Sequence, residues 1–161
     1  MGKGGSCTGM TPPFSFPLRA FFDGGTDAAG RTHAEIIGWP DVAIEQHHDF
    51  IQWLFPLPEP SRAVPGSPVL TEADRAELAA SPAARERMEQ AAARMLRFYR
   101  DNDHWLVPHD HNHLRISRII RSLRLILGDS AADRFRDAIM ARVAQAGASI
   151  SATSLDYWSA A

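Results

Sequence analysis

The chain has 161 residues, of which 45% are hydrophobic and 22% charged, the balance of one globular domain with a substantial core. A formal net charge of −2 at pH 7 provides no overall positive field, which argues against a protein that binds nucleic acid or anionic membranes. The longest apolar run, Trp53–Leu57, is far shorter than the ~20 residues that span a bilayer, so we expect no transmembrane segment.

The basic residues and the cysteine content indicate the cellular context. Lys3 is the only lysine, and the other sixteen of the 17 basic residues are arginines, a bias typical of a GC-rich, bacterial genome. Cys7 is the only cysteine, so no disulfide can form within the chain and a reducing compartment is expected. We therefore predict a cytoplasmic protein.

The N-terminal part of the chain predicts short elements only. Residues 1–13 are rich in Gly, Ser, Thr and Pro and predict a disordered segment, which leaves 14–161 as the folded domain. One or two helical turns are expected within 14–22. A Gly/Asp loop then leads to a brief helix over 32–38.

A central helix is predicted for Asp41–Phe55, because Pro40 suits a helix start and a proline-rich segment stops it. That segment contains Pro56, Pro58 and Pro60. It is expected to fold back so that Phe55 and Leu57 reach the core; the alternative is an exposed docking surface.

The C-terminal half predicts a series of longer helices. Capping residues and apolar periodicity place them at about 71–80, 82–100, 110–127 and 130–146, with a last short helix carrying Trp158. Ser130 and Asp133 are the expected caps of the fourth. Segments with a convincing two-residue alternation are missing from the sequence. The prediction is an all-α, compact, single-domain bundle of six or seven helices around two central ones.

Both central helices carry polar residues on one face. The first has a stripe at positions i, i+3 and i+7: Glu45, His48 and Gln52. The second has a stripe at positions i, i+4, i+7 and i+11: His111, Arg115, Arg118 and Ser122. Buried polar groups need partners, so we expect the stripes to face each other. Glu45 is predicted to pair with Arg115 or Arg118.

Three segments resemble a known family. The run Glu45–Leu57, the run His109–Ile119 and the ending Leu155-Asp156-Tyr157-Trp158 are similar to hallmark segments of the opioid growth factor receptor conserved domain. The resemblance implies a receptor-like domain, and in the animal receptor the ligand is the pentapeptide Met-enkephalin. It implies a non-enzymatic binding module for a peptide, a protein or a small anion, with no cofactor.

The polar stripes provide the candidate ligand-binding residues: Glu45, His48, Gln52, His111, Arg115 and Arg118. The alternative is a small metal- or anion-dependent enzyme centred on His48, His111 and Arg115. Sequence signatures of phosphate-loop, dinucleotide, serine-hydrolase and metalloprotease sites are lacking. Side chains at positions i and i+2 of a helix point apart, so we favour capping and core hydrogen bonds over metal binding for His109, His111 and His113.

Overall fold

The computed structural model describes residues 17–161, which fold into helices joined by turns. Within that range there are nine helices: α1 Pro17–Phe22, α2 His33–Ile37, α3 Asp41–Gln46, α4 Ile51–Leu54, α5 Glu72–Ala80, α6 Pro82–Asp101, α7 His111–Ile126, α8 Asp129–Ala146 and α9 Ala152–Ala160. The all-α prediction is confirmed, with nine described helices in place of the expected six or seven. The disordered segment predicted for 1–13 lies outside the described residues, and the domain range 14–161 stays a prediction. Among residues 17–161, the helices all fall short of the length and apolarity that crossing a membrane requires.

Short polar side chains cap five of the nine described helices, and Thr71 and Ser81 do so where the sequence predicts. Thr71 Oγ1 accepts a hydrogen bond from the amide of Asp74 at 3.1 Å, and Ser81 Oγ accepts one from the amide of Ala84 at 3.2 Å. The same role belongs to Thr32, Asp110 and Ser151. Each cap of this kind stabilises a helix by ~1 kcal/mol relative to alanine.

The eighth helix begins earlier than predicted. Its N-cap is Gly128 and its first residue is Asp129, so the expected capping by Ser130 is wrong. Gly128 has a φ of 103°, which side-chain-bearing residues rarely adopt. Its amide and that of Leu127 both donate to the carbonyl of Leu123. The chain thus turns from α7 into α8 at a single glycine, which leaves Ser130 inside the first turn.

Helix α7 lies at the centre of the bundle, in contact with α5, α6, α8 and α9. Its predicted apolar face is buried: Ile116, Ile119, Ile120 and Leu123. The other buried side chains that meet in this core include Met88, Met95 and Tyr99 of α6 and Phe135, Ile139 and Val143 of α8. Full burial of one such apolar side chain contributes about 1.5–3 kcal/mol, so the core fixes the position and rotation of α7.

The other predicted central helix, Asp41–Phe55, is not continuous, and that prediction is wrong. Helix α3 ends at Gln46, and His47 is extended with φ −86° and ψ 139°. Helix α4 begins only at Ile51. Apolar residues occupy most of the circumference of this segment, so a straight helix in contact with the core on one side would expose some of them. The interruption reorients the second half, and all of residues 50–57 are buried.

The proline-rich segment that follows α4 packs onto the core. Phe55 is fully buried and Leu57 is 3% exposed, which matches the expected folding back rather than an exposed docking surface. Leu70 closes this segment, since its amide donates to the Leu57 carbonyl at 2.9 Å.

His33, the first residue of α2, is a buried histidine whose pKa is lowered. It is 2% exposed, its ring lies 5.8 Å from that of Phe21 and 6.0 Å from that of Phe22, and its Nε2 atom has no hydrogen-bond partner within residues 17–161. Burial lowers the pKa of His33 to about 4 from an ordinary value of 6.5. The imidazole is therefore neutral in the folded protein at neutral pH.

We predict that this histidine makes the fold acid-sensitive. The unfolded chain takes up the proton near pH 6.5, whereas the folded chain resists it until about pH 4, so stability is full above pH 6.5 and falls as the pH drops between these values. The loss between pH 7 and pH 5 amounts to about 2 kcal/mol of unfolding free energy. Urea unfolding at both pH values should show this loss, and His33→Phe should remove it. His109→Gln, at an exposed position, is the control, and an unchanged pH dependence in His33→Phe would contradict the assignment.

Candidate functional site

Arg115 of α7 occupies the interruption between α3 and α4. In a continuous helix the carbonyl of Ile44 would accept from the amide of residue 48, and that of His47 from the amide of residue 51. Here both carbonyls accept from the Arg115 guanidinium, through Nη1 at 3.0 Å for Ile44 and through Nη2 for His47. The guanidinium also lies over the Phe50 ring, 5.4 Å from its centroid. Arg115 therefore replaces the backbone donors that the helix break removes.

Two further α7 side chains continue this pattern towards the C-terminal end of the helix. Arg118 Nε donates to the carbonyl of Phe55 at 2.8 Å, and Ser122 Oγ donates to that of Pro56 at 2.8 Å. Neither carbonyl can be satisfied by a continuing helix, because prolines follow. We call Arg115, Arg118 and Ser122 the α7 donor row. From first to last, these side chains bind carbonyls that lie progressively further along the chain, from residue 44 to residue 56.

The predicted pairing of Glu45 with Arg115 or Arg118 is wrong, although the two stripes do face each other. The Glu45 carboxylate lies 2.8 Å from His111 Nε2 and 3.0 Å from His104 Nε2. The Asn112 side-chain amide donates a hydrogen bond to it at 3.2 Å. The free carbonyls explain the change of partner: those at the helix break bind Arg115, and the Phe55 carbonyl before the prolines binds Arg118. Within residues 17–161, ion pairs between Glu45 and those arginines are absent.

An open groove of about 1030 Å³ lies between α7, the proline-rich segment and α9. Five of the six predicted ligand-binding residues line it: His48, Gln52, His111, Arg115 and Arg118. The sixth, Glu45, is one step removed and reaches the groove through its bond to His111. The structure thus brings the predicted residues together, even though the helix that was to carry half of them is broken.

The groove lining carries an excess of positive charge. Four arginines contribute to it: Arg62, Arg115, Arg118 and Arg121. Among the described residues, Glu59 contributes a carboxylate side chain to the groove lining. It already forms an ion pair with Arg121. The carbonyls that Arg115 and Arg118 bind satisfy hydrogen bonds but do not neutralise charge. An anionic group in this groove would therefore be attracted.

Arg118 has an unsatisfied donor. Its Nη2 atom is buried and has no hydrogen-bond partner within residues 17–161. Burial, with a smaller contribution from Arg121, lowers the pKa of Arg118 to about 10, while the Glu59 carboxylate acts in the opposite direction. The guanidinium is still protonated at neutral pH, and Glu59 already forms an ion pair with Arg121.

Apolar residues form the remainder of the groove. Ile51 and Leu57 are buried at its edge, whereas Leu114 and Tyr157 are 64% and 53% exposed. The sequence reasoning did not assign these residues to a site. Leu114 is an apolar residue beside a polar stripe, and Tyr157 belongs to the closing hallmark segment. These two features of the sequence could have indicated that both residues belong to the candidate site.

The histidines divide between structural and surface roles. His113 is buried, and its two ring nitrogens contact the Ser154 hydroxyl at 2.9 Å and the Trp105 carbonyl at 2.8 Å. These are core hydrogen bonds of the kind that the sequence analysis favours for this residue. The rings of His48 and His111 lie 5.8 Å apart at the groove. Clusters of three or more His, Cys, Asp or Glu side chains placed to hold a metal ion do not occur in the described part of the chain.

Comparison with known proteins identifies the segment that contributes one side of this groove. Residues 41–104 match the family described as the opioid growth factor receptor (OGFr) conserved region. Over those residues the chain is similar to the opioid growth factor receptor conserved region. The resemblance predicted from the sequence is thereby confirmed.

Two curated relatives support this assignment. The opioid growth factor receptors of Rattus norvegicus and Mus musculus are each 36% identical to this chain across 50% of its length. The matched part is 17% of the rat protein and 15% of the mouse protein, so the chain spans less than a fifth of either relative. Solved structures give no match to this chain.

The matched residues 41–104 do not contain the whole groove. They include the broken α3–α4 segment with Glu45, His48 and Gln52, whereas α7 with His111, Arg115 and Arg118 lies beyond residue 104. The α7 donor row therefore connects the matched segment to the C-terminal helices of the same bundle.

We predict that Arg115 is required for stability. Arg115→Met keeps an unbranched apolar stem but leaves the carbonyls of Ile44 and His47 without donors, which should lower the unfolding free energy by about 2–4 kcal/mol. Arg121→Met is the matched control, because it breaks an exposed pair with Glu59 worth only about 0–1 kcal/mol. Urea unfolding measures both variants. Equal losses would show that those carbonyls find other donors when Arg115 is removed.

Proposed function

We propose that this chain is a non-enzymatic, receptor-like binding module whose groove holds a short peptide. The observation that carries the proposal is the groove itself, in which exposed apolar side chains share the lining with Arg115 and Arg118, whose partners are neutral carbonyls. A peptide offers the matching combination of apolar side chains, backbone hydrogen-bonding groups and carboxylates.

The family relationship supports the same proposal. The two mammalian relatives are named as receptors of opioid growth factor, and the resemblance of the hallmark segments implies peptide binding. Those segments lie at the groove, where His48, Gln52 and Tyr157 contribute to its lining. Because the chain matches only a small part of each relative, the ligand of the whole receptors is not assigned to it.

The alternative is a small metal- or anion-dependent enzyme that uses His48, His111 and Arg115. The proximity of the two imidazoles at the groove is the observation in its favour. Against it, two backbone carbonyls and the His48 ring already occupy the Arg115 guanidinium. A binding role accounts for more of the groove, because it also uses Leu114 and Tyr157. A cytoplasmic location and the absence of nucleic-acid binding stay predictions from the sequence.

Titration of the ¹⁵N-labelled protein with a pool of random pentapeptides tests the proposal. We expect saturable chemical-shift changes centred on Leu114, Arg118 and Tyr157. Leu114→Asp should weaken the binding about tenfold or more, since it removes an apolar contact, while stability changes little because Leu114 is 64% exposed.

Leu125→Asp is the matched control, because Leu125 lies on α7, is 37% exposed and does not line the groove. It should bind as the wild type does. Shift changes that do not saturate, or that centre elsewhere on the bundle, would contradict the proposal.

A further inference from the structure

In addition to Arg118, Gln52 has an unsatisfied polar atom and belongs to the groove lining. It is 4% exposed, and its Oε1 atom has no hydrogen-bond partner within residues 17–161. A buried amide oxygen without a donor destabilises the fold by about 1–3 kcal/mol. Gln52 therefore offers an acceptor to a ligand, as the buried Arg118 Nη2 offers a donor.

The fold places these two residues on adjacent elements of the same groove. Gln52 lies in α4, three residues before Phe55, whose carbonyl accepts from Arg118 Nε. At this end of the groove the lining thus contains a cation from α7 and an amide acceptor from α4.

We propose that this end of the groove binds the C-terminal residue of the peptide, with its carboxylate on Arg118 and its amide N–H on Gln52. The inference rests on the proposed function and adds to it the polarity of the ligand. A C-terminal residue carries a carboxylate and an N–H on the same Cα atom, which matches a donor and an acceptor held on adjacent elements. A carboxylate in the middle of a peptide is further from its own backbone N–H, and a fully ionised phosphate has no donor.

The apolar side of the groove fits the same orientation. Leu114 and Tyr157 are large, exposed and part of the lining, and Leu114 precedes Arg118 by one turn of α7. A carboxylate on Arg118 would place the last side chains of the peptide beside this apolar surface. We therefore expect an apolar residue at or next to the C-terminus.

Fluorescence anisotropy with short labelled peptides tests the orientation. The probes are the pentapeptide Ala-Ala-Ala-Phe-Leu with a free C-terminus, its C-terminal amide, and the amide of Ala-Ala-Glu-Phe-Leu, each labelled at the N-terminus. The free acid should bind, and both amides should bind about tenfold to hundredfold more weakly, because a hydrogen bond to a charged group is lost. Inorganic phosphate at equal ionic strength should not compete.

Variants separate this inference from the proposed function. Arg118→Met should bind the free acid and the amide with similar, weak affinity, and Arg134→Met should behave as the wild type, because Arg134 is exposed on α8 outside the groove. Arg118→Met also removes the donor to the Phe55 carbonyl, so its melting temperature should fall; the loss of discrimination between free acid and amide in the folded variant, which a purely structural role would not produce, identifies the ligand-binding role.

The other outcomes are distinct. Equal binding of free acid and amide by the wild type would overturn the C-terminal assignment but leave peptide binding in place. Preference for the internal glutamate, or competition by phosphate, would assign the site to a different anion. Failure of all three peptides to bind at millimolar concentration would count against both proposals.

Discussion

The fold depends on the hydrogen bonds between the Arg115 guanidinium and the carbonyls that the α3–α4 interruption leaves without backbone donors. Most buried carbonyls are satisfied by their own secondary structure, so an interruption in the middle of a domain requires donors from elsewhere. Helix α7 provides them from a position fixed by its apolar face. Because the break is supported in this way, the segment after it can bury residues 50–57 and place Gln52 in the groove lining.

Much of the bundle could be predicted because its determinants are local. Capping side chains such as Thr71 and Ser81 act within three residues, and the apolar periodicity of α7 identifies its buried face directly. The interruption after Gln46 could not be predicted in this way. Pro40 and Pro56 indicate the limits of a helix, but the break between them depends on an arginine some 70 residues further along the chain.

Five of the six candidate residues line one groove, but their hydrogen-bond partners were not predicted. Facing polar stripes were sufficient to select His48, Gln52, His111, Arg115 and Arg118, all of which line the groove. The partners were wrong because charge complementarity favours a carboxylate for each arginine, whereas the structure satisfies these arginines with neutral carbonyls. This difference leaves a positive groove where a closed ion pair was expected.

The α7 donor row holds the 44–56 segment through carbonyl groups, which every amino acid possesses. Side chains on that segment can therefore vary without loss of the bonds that position it. Substitutions at groove-lining positions such as His48 would alter the binding surface while its scaffold is retained, much as variable loops diversify on a constant framework. Members of one family could acquire different ligands by this route without a change of fold.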